Sequence, residues 1–232
     1  MPGAAEMAAW PSRELRLRTV SAVVLAPLAL AVVWIGGTPW VALLAVFAAL
    51  LAVEWLGLTT RWPLATRFAG VPYIGCAIAA LLFLRADPTV GRAATLFVVA
   101  VVWGSDIGAF LVGRAVGGPR LVPTISPGKT WSGAVGGVAV AIAAAALVVA
   151  ARGDTPHVTS MAIAGLLALA SQAGDLLESA IKRATGVKDS GRLIPGHGGA
   201  FDRLDGMLIA APVAALLAWF AGEGEPLWNA WR

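Results

Sequence analysis

Seven long apolar segments follow one another along this chain, separated by short polar stretches. They lie at about residues 19–35, 40–58, 68–84, 93–113, 132–151, 158–180 and 204–221. A helix needs roughly 20 mostly apolar residues to cross the hydrocarbon of a bilayer, and each segment approaches that length. Only 13% of the 232 residues are charged, against about 25% in a typical soluble domain. The sequence therefore predicts an all-α, polytopic integral membrane protein with about seven transmembrane helices, within a range of six to eight.

The basic residues are unevenly divided between the two sides that seven crossings create. With a cytoplasmic N-terminus, thirteen of the 17 lysines and arginines fall on the cytoplasmic side and four on the other. Because these residues concentrate on the cytoplasmic side of membrane proteins, we expect the N-terminus there. We expect the apolar surface to contact the lipid bilayer, and we expect no nucleic acid among the partners. We divide the single membrane domain into a cytoplasmic segment at about 1–18, N-terminal helices at 19–102, a region with the polar motifs at 103–221 and a tail at 222–232.

Two glycine pairs have the spacing of close helix contacts. Gly104 and Gly108 lie four residues apart, as do Gly133 and Gly137. Small residues at this spacing let the backbones of two membrane helices approach each other. In a chain with 27 glycines the pattern alone is weak, and we use it only as an indication of helix packing.

The segment SQAGDLLESAIKR, residues 171–183, carries charge inside an apolar run. Read as a helix, it places Asp175, Glu178, Ser179 and Lys182 on one stripe. A charged residue in a span costs ~2.5–3.5 kcal/mol on insertion scales, so it usually faces a cavity or a partner. Asp175 is a candidate metal ligand, Ser179 can form a hydrogen bond with a phosphate or another ligand, and Lys182 supplies a cation one turn further on. A simple ion pair between Glu178 and Lys182 at the helix end remains an equal alternative.

The segment FDRLDG, residues 201–206, places Asp202 and Asp205 three residues apart at the start of the last apolar run. On one face of a helix, two such carboxylates repel each other unless a cation lies between them. Mg²⁺ is the natural candidate, because it prefers carboxylates, water and substrate phosphates. Capping of the helix N-terminus explains one aspartate well but two poorly, so we favour metal binding.

The polar stretch between these two segments contains glycines and several basic side chains. The sequence PGHGG contains His197, and Lys188, Arg192 and Arg203 lie on either side of it. Glycines let backbone N–H groups approach phosphate oxygens, so a basic glycine-rich stretch beside paired carboxylates indicates a site for a metal and a polyphosphate. The alternatives are a basic loop that follows the positive-inside rule or contacts anionic lipid heads, and for His197 a turn residue.

A second polar cluster lies at residues 103–133. Asp106 lies in an apolar run and is expected to face the protein interior. The sequence SPGKTWSG, residues 126–133, offers Ser126, Lys129, Thr130 and Ser132 before the fifth apolar segment. It lacks the pattern of a P-loop, but hydroxyls and a lysine at a helix N-terminus can bind phosphates.

The quoted motifs resemble those of a known family. The sequence SAIKRATGVKDSGRLIPGHGGAFDRLDG, residues 179–206, is similar to the C-terminal signature of phosphatidate cytidylyltransferases (CDP-diacylglycerol synthases). That signature reads S-x-x-K-R, then K-D, then P-G-H-G-G-x-x-D-R-x-D, and every position is filled here. The sequences GD at 174–175, WGSDIGAFLVGR and SPGKTWSG resemble further family motifs, so the likeness covers about residues 103–206. It departs at Gly128 and Ser132, where the family usually has lysine and glutamate.

The resemblance implies transfer of CMP from CTP to phosphatidate, giving CDP-diacylglycerol and pyrophosphate, at a bacterial inner membrane with the site facing the cytoplasm. It implies Mg²⁺ as cofactor, with a second metal ion and a homodimer left open. The implied catalytic residues are Asp175, Lys182, Asp202 and Asp205, and the three aspartates are also the implied metal ligands. The residues implied to bind substrate or phosphate are Ser126, Lys129, Thr130, Ser179, Arg183, Lys188, His197 and Arg203, with Asp106 in support.

Other functions for these motifs remain open. One is a related CTP-dependent membrane enzyme that acts on another lipid, such as a polyprenol kinase or an archaeal-type lipid cytidylyltransferase. Another is a transporter, because transporters also place charges inside spans. The spacing typical of CDP-alcohol phosphotransferases is absent from the sequence.

Overall fold

The protein is described by a computed structural model, which covers residues 13–187, 189–191 and 198–230, with side chains from residue 23 onward. Its helices are α1 (Arg13–Ile35), α2 (Gly37–Leu58), α3 (Leu64–Phe68), α4 (Gly70–Ala86), α5 (Gly91–Val116), α6 (Trp131–Ala151), α7 (Val158–Ala184) and α8 (Phe201–Ala221). Two strands, β1 (Arg120–Val122) and β2 (Ser126–Thr130), lie between α5 and α6, and a short 3₁₀ helix at Leu227–Asn229 follows α8.

The seven predicted apolar segments coincide with the long helices. Six described helical segments are long and apolar enough to cross a membrane, with α3 and α4 counted as one span, Leu64–Ala86. The described apolar part of α1, Val23–Ile35, is a shorter helix. Large apolar side chains remain exposed on the outer faces, among them Leu147 and Trp219 at 72% and 71%. Exposed apolar faces on spanning helices are the surface that lipid covers, so the all-α membrane fold is confirmed.

The core surrounds the first half of α5. Phe97, Val98 and Val101 are fully buried against residues of α6, α7 and α8. The ring of Trp228, in the 3₁₀ helix after α8, packs on Phe97 with 5.1 Å between ring centroids. Through this contact the segment after α8 returns to the centre of the bundle.

Helices α5 and α6 pack closely through the predicted glycines. A Cβ placed on Gly108 would lie 2.8 Å from the carbonyl oxygen of Gly136. One on Gly137 would lie 2.7 Å from the carbonyl oxygen of Ser105. A side chain at either position would force the two backbones apart. The indication from the small-residue spacing is therefore confirmed by the helix contact.

Strands β1 and β2 form a small antiparallel hairpin that the sequence analysis did not predict. Arg120 pairs with Thr130 and Val122 with Ser126, with an irregularity between the two pairs. The hairpin runs directly into α6, where the backbone N–H of Gly133 donates to the Thr130 hydroxyl at 3.1 Å. Thr130 is thus the N-cap of α6, which satisfies one of the free N–H groups at the start of that helix.

The connections gather at two opposite ends of the bundle. At one end, Arg183 at the end of α7 donates to the carbonyl of Ile125 in the hairpin at 3.2 Å. At the other end, the backbone N–H of Gly224 donates to Asp87 at 2.9 Å, and Arg152 donates to the carbonyl of Thr89 at 3.4 Å. The hairpin and the end of α7 therefore share one end, as alternating crossings require.

Candidate active site

A polar cavity of about 980 Å³ opens at the end of the bundle where the hairpin lies. Its walls come from α5, the hairpin, α6, α7 and α8. Its charged lining residues in the described part of the chain are Asp106, Arg114, Arg120, Lys129, Asp175, Glu178, Lys182, Asp189, Asp202, Arg203 and Asp205. Small-molecule sites typically occupy about 300–1,000 Å³, so the cavity has the size of a ligand site.

Three carboxylates meet in this cavity. Among the described residues, Asp175, Glu178 and Asp205 each offer an oxygen, and these oxygens lie within 4.8 Å of one another. Helix α7 supplies Asp175 and Glu178 from one stripe, and α8 supplies Asp205. The helices can approach because position 174 is glycine: a Cβ there would collide with the carbonyl oxygen of Asp205. In the sequence GD at 174–175, the glycine thus allows the close contact between α7 and α8, and the aspartate after it is a candidate metal ligand.

The cluster suits a divalent cation. The side chain of Glu178 is only 2% exposed, and its Oε1 has no hydrogen-bond partner within the described part of the chain. A buried carboxylate oxygen without a partner is costly, and a hard cation that prefers oxygen ligands would satisfy it. Asp175, Glu178 and Asp205 are therefore the residues that fit a metal on geometry.

Two lysines neutralise part of this negative charge. Lys129, from β2, forms an ion pair with Asp175. The ammonium of Lys182 lies 2.8 Å from Glu178 Oε2 and 2.6 Å from Asp202 Oδ1, and its side chain is 14% exposed. The ion pair between Glu178 and Lys182, one of the two readings of the sequence, is therefore present. It is more than a pair at a solvated helix end, because Lys182 also joins α7 to α8.

Asp202 lies in the first turn of α8, three residues before Asp205, as expected. Its Oδ1 accepts from Lys182, and its Oδ2 accepts from the N–H and hydroxyl of Ser190 at 3.1 and 3.0 Å and from the N–H of Gly199 at 2.9 Å. Each oxygen of Asp202 thus accepts hydrogen bonds from the protein. The third carboxylate of the acidic cluster is instead Glu178. The role of Asp202 as a metal ligand stays a prediction.

The remaining predicted residues divide into three groups. Asp106, Thr130 and Arg203 line the cavity together with the lysines and carboxylates. Ser126, Ser179 and Arg183 are not among its described lining residues: Ser126 lies in β2, Ser179 is half-buried on α7, and Arg183 donates to the hairpin. The predictions at Lys188, Arg192 and His197 lie outside the described residues.

One of the two departures from the family pattern has a structural partner. The hydroxyl of Ser132 donates to the carbonyl of Gly117 and lies 3.1 Å from the hydroxyl of Thr130. It therefore ties the start of α6 to the end of α5. For Gly128, a Cβ would meet no described atom within 4 Å, so the hairpin has room for a side chain there.

The sequence analysis missed several residues at the site. Glu178 was placed on the correct stripe but assigned to an ion pair rather than to the metal cluster. Gln172 also lines the cavity, and its amide donates to the hydroxyl of Ser105 at 3.2 Å and to the carbonyl of Ala134 at 3.0 Å. Glu54 contacts the segments beside Asp202, as described below. A signal existed for Glu54, because it is the one charged residue in the apolar helix α2.

The fold and the cavity together define a polytopic helical membrane protein with a polar, metal-compatible site at one end of its bundle. The model of the Cytidylyltransferase family matches residues 64–221. Because this match covers more than half of the chain, the protein belongs to that family. The resemblance drawn from the sequence motifs is thereby confirmed.

Curated relatives from several bacteria bear one name, phosphatidate cytidylyltransferase. The protein of Brucella abortus biovar 1 (strain 9-941) is 44% identical over 180 residues, which cover 78% of this chain and 65% of the relative. That of Pseudomonas aeruginosa is 43% identical over 131 residues, covering 56% and 48%. That of Rickettsia bellii (strain RML369-C) is 33% identical over 207 residues, covering 86% and 88%. The chain thus spans just under two thirds of the length of its Brucella relatives.

Proposed function

We propose that this protein is a phosphatidate cytidylyltransferase, which transfers CMP from CTP to phosphatidate and so serves phospholipid synthesis. The observation that carries the proposal is the cluster of Asp175, Glu178 and Asp205 beside Lys129 and Lys182 in one cavity. Phosphoryl transfer depends on positioning and on neutralising charge, and carboxylates with lysines supply both. The name of the relatives, phosphatidate cytidylyltransferase, gives phosphatidate as the acceptor and a cytidylyl group as what is transferred, and we propose CTP as its donor.

The proposed reaction is a single in-line displacement. An oxygen of the phosphatidate phosphate forms a bond with the α-phosphorus of CTP, while the bond from that phosphorus to the bridging oxygen of the β-phosphate breaks. Pyrophosphate leaves with the electron pair. A phosphate monoester is largely ionised at neutral pH, since its second pKa is about 6, so the attack requires no strong general base.

The residues of the cavity have distinct proposed roles. Asp175, Glu178 and Asp205 would bind Mg²⁺, and Asp202 is retained as a candidate from the sequence. When bound, the metal supplies positive charge to the phosphates of CTP. Lys129, Lys182 and Arg203 supply further positive charge to the departing pyrophosphate. The catalytic set remains Asp175, Lys182, Asp202 and Asp205, with Glu178 added.

The proposed orientation gives each substrate its own approach. Trp103, Ile107 and Phe110 of α5 also line the cavity, and Ile107 and Phe110 are 55% and 63% exposed on a face that lipid would cover. A lipid phosphate can therefore enter from the bilayer with its acyl chains outside. CTP is cytoplasmic, and the distribution of lysine and arginine favours a cytoplasmic position for this end. We infer a bacterial inner membrane as the location.

The test is an assay of the purified full chain in detergent with radiolabelled CTP. We expect CDP-diacylglycerol and pyrophosphate in equal amounts with phosphatidate and Mg²⁺, and no product in EDTA. Asp175→Asn and Glu178→Gln should each raise the Mg²⁺ concentration for half-maximal rate at least tenfold. The matched control is Asp154→Asn, which removes a carboxylate paired with Arg152 at the opposite end and should leave the rate unchanged.

Two results would overturn the proposal. A phosphorylated product from an isoprenoid alcohol, with none from phosphatidate, would identify a related enzyme that acts on another lipid. No consumption of CTP with either lipid would favour a transporter, which vesicle uptake of labelled nucleotide would then detect.

A further inference from the structure

Glu54 is a buried carboxylate that reaches the site from a helix before the region that the family model matches. It lies near the end of α2, is 5% exposed, and precedes residue 64, where the family match begins. Its partners are distant in sequence. Its Oε1 accepts from the backbone N–H of Ala200 at 2.8 Å, and its Oε2 accepts from that of Phe201 at 2.8 Å.

These two N–H groups belong to the start of α8, where an intrahelical acceptor does not exist. The residue at the N-cap position, Ala200, offers no side-chain cap. A carboxylate at a helix N-terminus both accepts these hydrogen bonds and interacts favourably with the helix dipole. Glu54 thus caps α8 from another helix, one turn before the metal candidate Asp205.

Glu54 also contacts the residues that surround Asp202. The hydroxyl of Ser190 lies 2.9 Å from Glu54 Oε2 and 3.0 Å from Asp202 Oδ2. A hydroxyl has one hydrogen, so Ser190 lies between two carboxylates that compete for it. Asp202 in turn contacts Lys182, which contacts Glu178 in the acidic cluster. A continuous series of contacts therefore leads from Glu54 to the proposed metal ligands.

The backbone around Glu54 leaves space for a carboxylate. A Cβ on Gly191 would lie 2.8 Å from Glu54 Oε1, and a Cβ on Gly199 would collide with Glu54 Oε2 and the hydroxyl of Ser190. A side chain at either position would displace the carboxylate of Glu54 from this contact. The ring of Phe201 packs on Trp55, with 6.0 Å between ring centroids, so the residue after Glu54 supports the same helix start.

We propose that Glu54 is a positioning residue of the active site: by capping α8 and binding Ser190, it sets the place of Asp202 and Lys182 relative to the acidic cluster. The expected effect of Glu54 on kcat rests on the proposed function, whereas its expected effect on the start of α8 rests on the hydrogen bonds alone. Its proposed action is through these residues and not through binding a substrate itself.

The main variant is Glu54→Gln, which keeps the size but turns one acceptor oxygen into an N–H donor that faces other donors. We expect kcat for CTP and phosphatidate to fall at least tenfold, with a smaller change in KM, because Lys182 is proposed to act in the transition state. We also expect faster amide hydrogen exchange at residues 198–203, by tenfold or more, with exchange in α6 unchanged. Ser190→Ala combined with Glu54→Gln should lower kcat by less than the product of the two single effects.

Leu51→Ala is the control for stability alone. Leu51 is fully buried in the same small core as Trp55 and Phe201, but its apolar side chain forms no hydrogen bond with a site residue. Leu51→Ala should therefore lower the Tm and leave kcat per folded molecule unchanged. An unchanged kcat in Glu54→Gln overturns the positioning role, and so does unchanged exchange at residues 198–203. If the wild type itself lacks the transferase activity, the proposed function fails, and the exchange measurement alone then decides whether Glu54 fixes α8.

Discussion

Lys182 is the side chain whose removal should affect this protein most clearly. It lies between Glu178 and Asp202, whose side chains are 2% and 10% exposed. Lys182→Met keeps the length of the side chain and leaves two buried carboxylates without their shared cation. Removing one partner of a buried ion pair costs about 3–5 kcal/mol, far more than the ~0.5 kcal/mol of an exposed pair on one helix. At about 2–4 °C per kcal/mol for a chain of this size, the Tm should fall by roughly 6–20 °C.

The assay is thermal unfolding in detergent, followed by circular dichroism, at low and high salt. Lys129→Met is the matched control, since its pair with Asp175 is more open, with side chains 26% and 32% exposed. A more exposed pair contributes about 0–1 kcal/mol, so this variant should lose only a few degrees. Adding Glu178→Gln to Lys182→Met should recover part of the loss, because one of the unpaired charges is removed.

The same variant separates stability from catalysis. At a temperature where Lys182→Met is still folded, kcat should fall more than KM rises, and each tenfold loss corresponds to ~1.4 kcal/mol of barrier. Equal losses of Tm in Lys182→Met and Lys129→Met would refute the argument from burial. An unchanged kcat in folded Lys182→Met would remove Lys182 from the catalytic set.

Two further predictions concern the packing of α5 on α6 and the end of the bundle opposite the cavity. Gly137→Ala should destabilise the protein by about 1–3 kcal/mol, because its Cβ would overlap a backbone carbonyl of α5. At Gly75, an added Cβ would meet no described atom within 4 Å beyond its chain neighbours and the nearby backbone of its own helix. Gly75→Ala should therefore be neutral or stabilising by up to ~1 kcal/mol, and equal effects of the two variants in thermal unfolding would contradict the close contact at Gly137. Hydrogen bonds from the N–H of Val90 and the hydroxyl of Thr89 hold the pKa of Asp87 well below its ordinary value near 3.8. Ionised Asp87 therefore stabilises the fold above that value, and this contribution is lost as the pH falls from there towards the lowered pKa. Unfolding measured in detergent between about pH 5 and pH 2 should show a shallower pH dependence in Asp87→Asn than in the wild type, and identical slopes would refute the assignment.

The helices could be predicted from the sequence because one physical requirement determines them. A backbone in hydrocarbon must satisfy its hydrogen bonds internally, so an apolar run of sufficient length becomes a helix whatever its neighbours are. The stripe on α7 and the pair of aspartates on α8 followed from helical periodicity alone. Both are local patterns, and the structure places them on one cavity because Gly174 lets the two helices meet.

The hairpin could not be predicted, because no such requirement determines its short strands. Strands of three and five residues are too short for a clear alternating pattern, and the sequence of β2, SPGKT, is typical of a loop. Similarly, the sequence could not decide between Glu178 and Asp202 in the acidic cluster. That choice depends on where the stretch around Ser190 and Gly199 lies, since these residues donate to Asp202 and no periodicity describes them.

Glu54 shows how a helix without a family motif can take part in the site. The family match begins at residue 64, so a chain reduced to the matched region would leave the N–H groups of Ala200 and Phe201 buried without an acceptor. An unsatisfied buried donor costs about 1–3 kcal/mol, and two of them at the start of α8 would favour a displaced or unwound first turn. That turn carries Asp202, and Asp205 follows it directly. The N-terminal helices therefore contribute to the geometry of the site through one carboxylate, even though the match to the family model begins after α2.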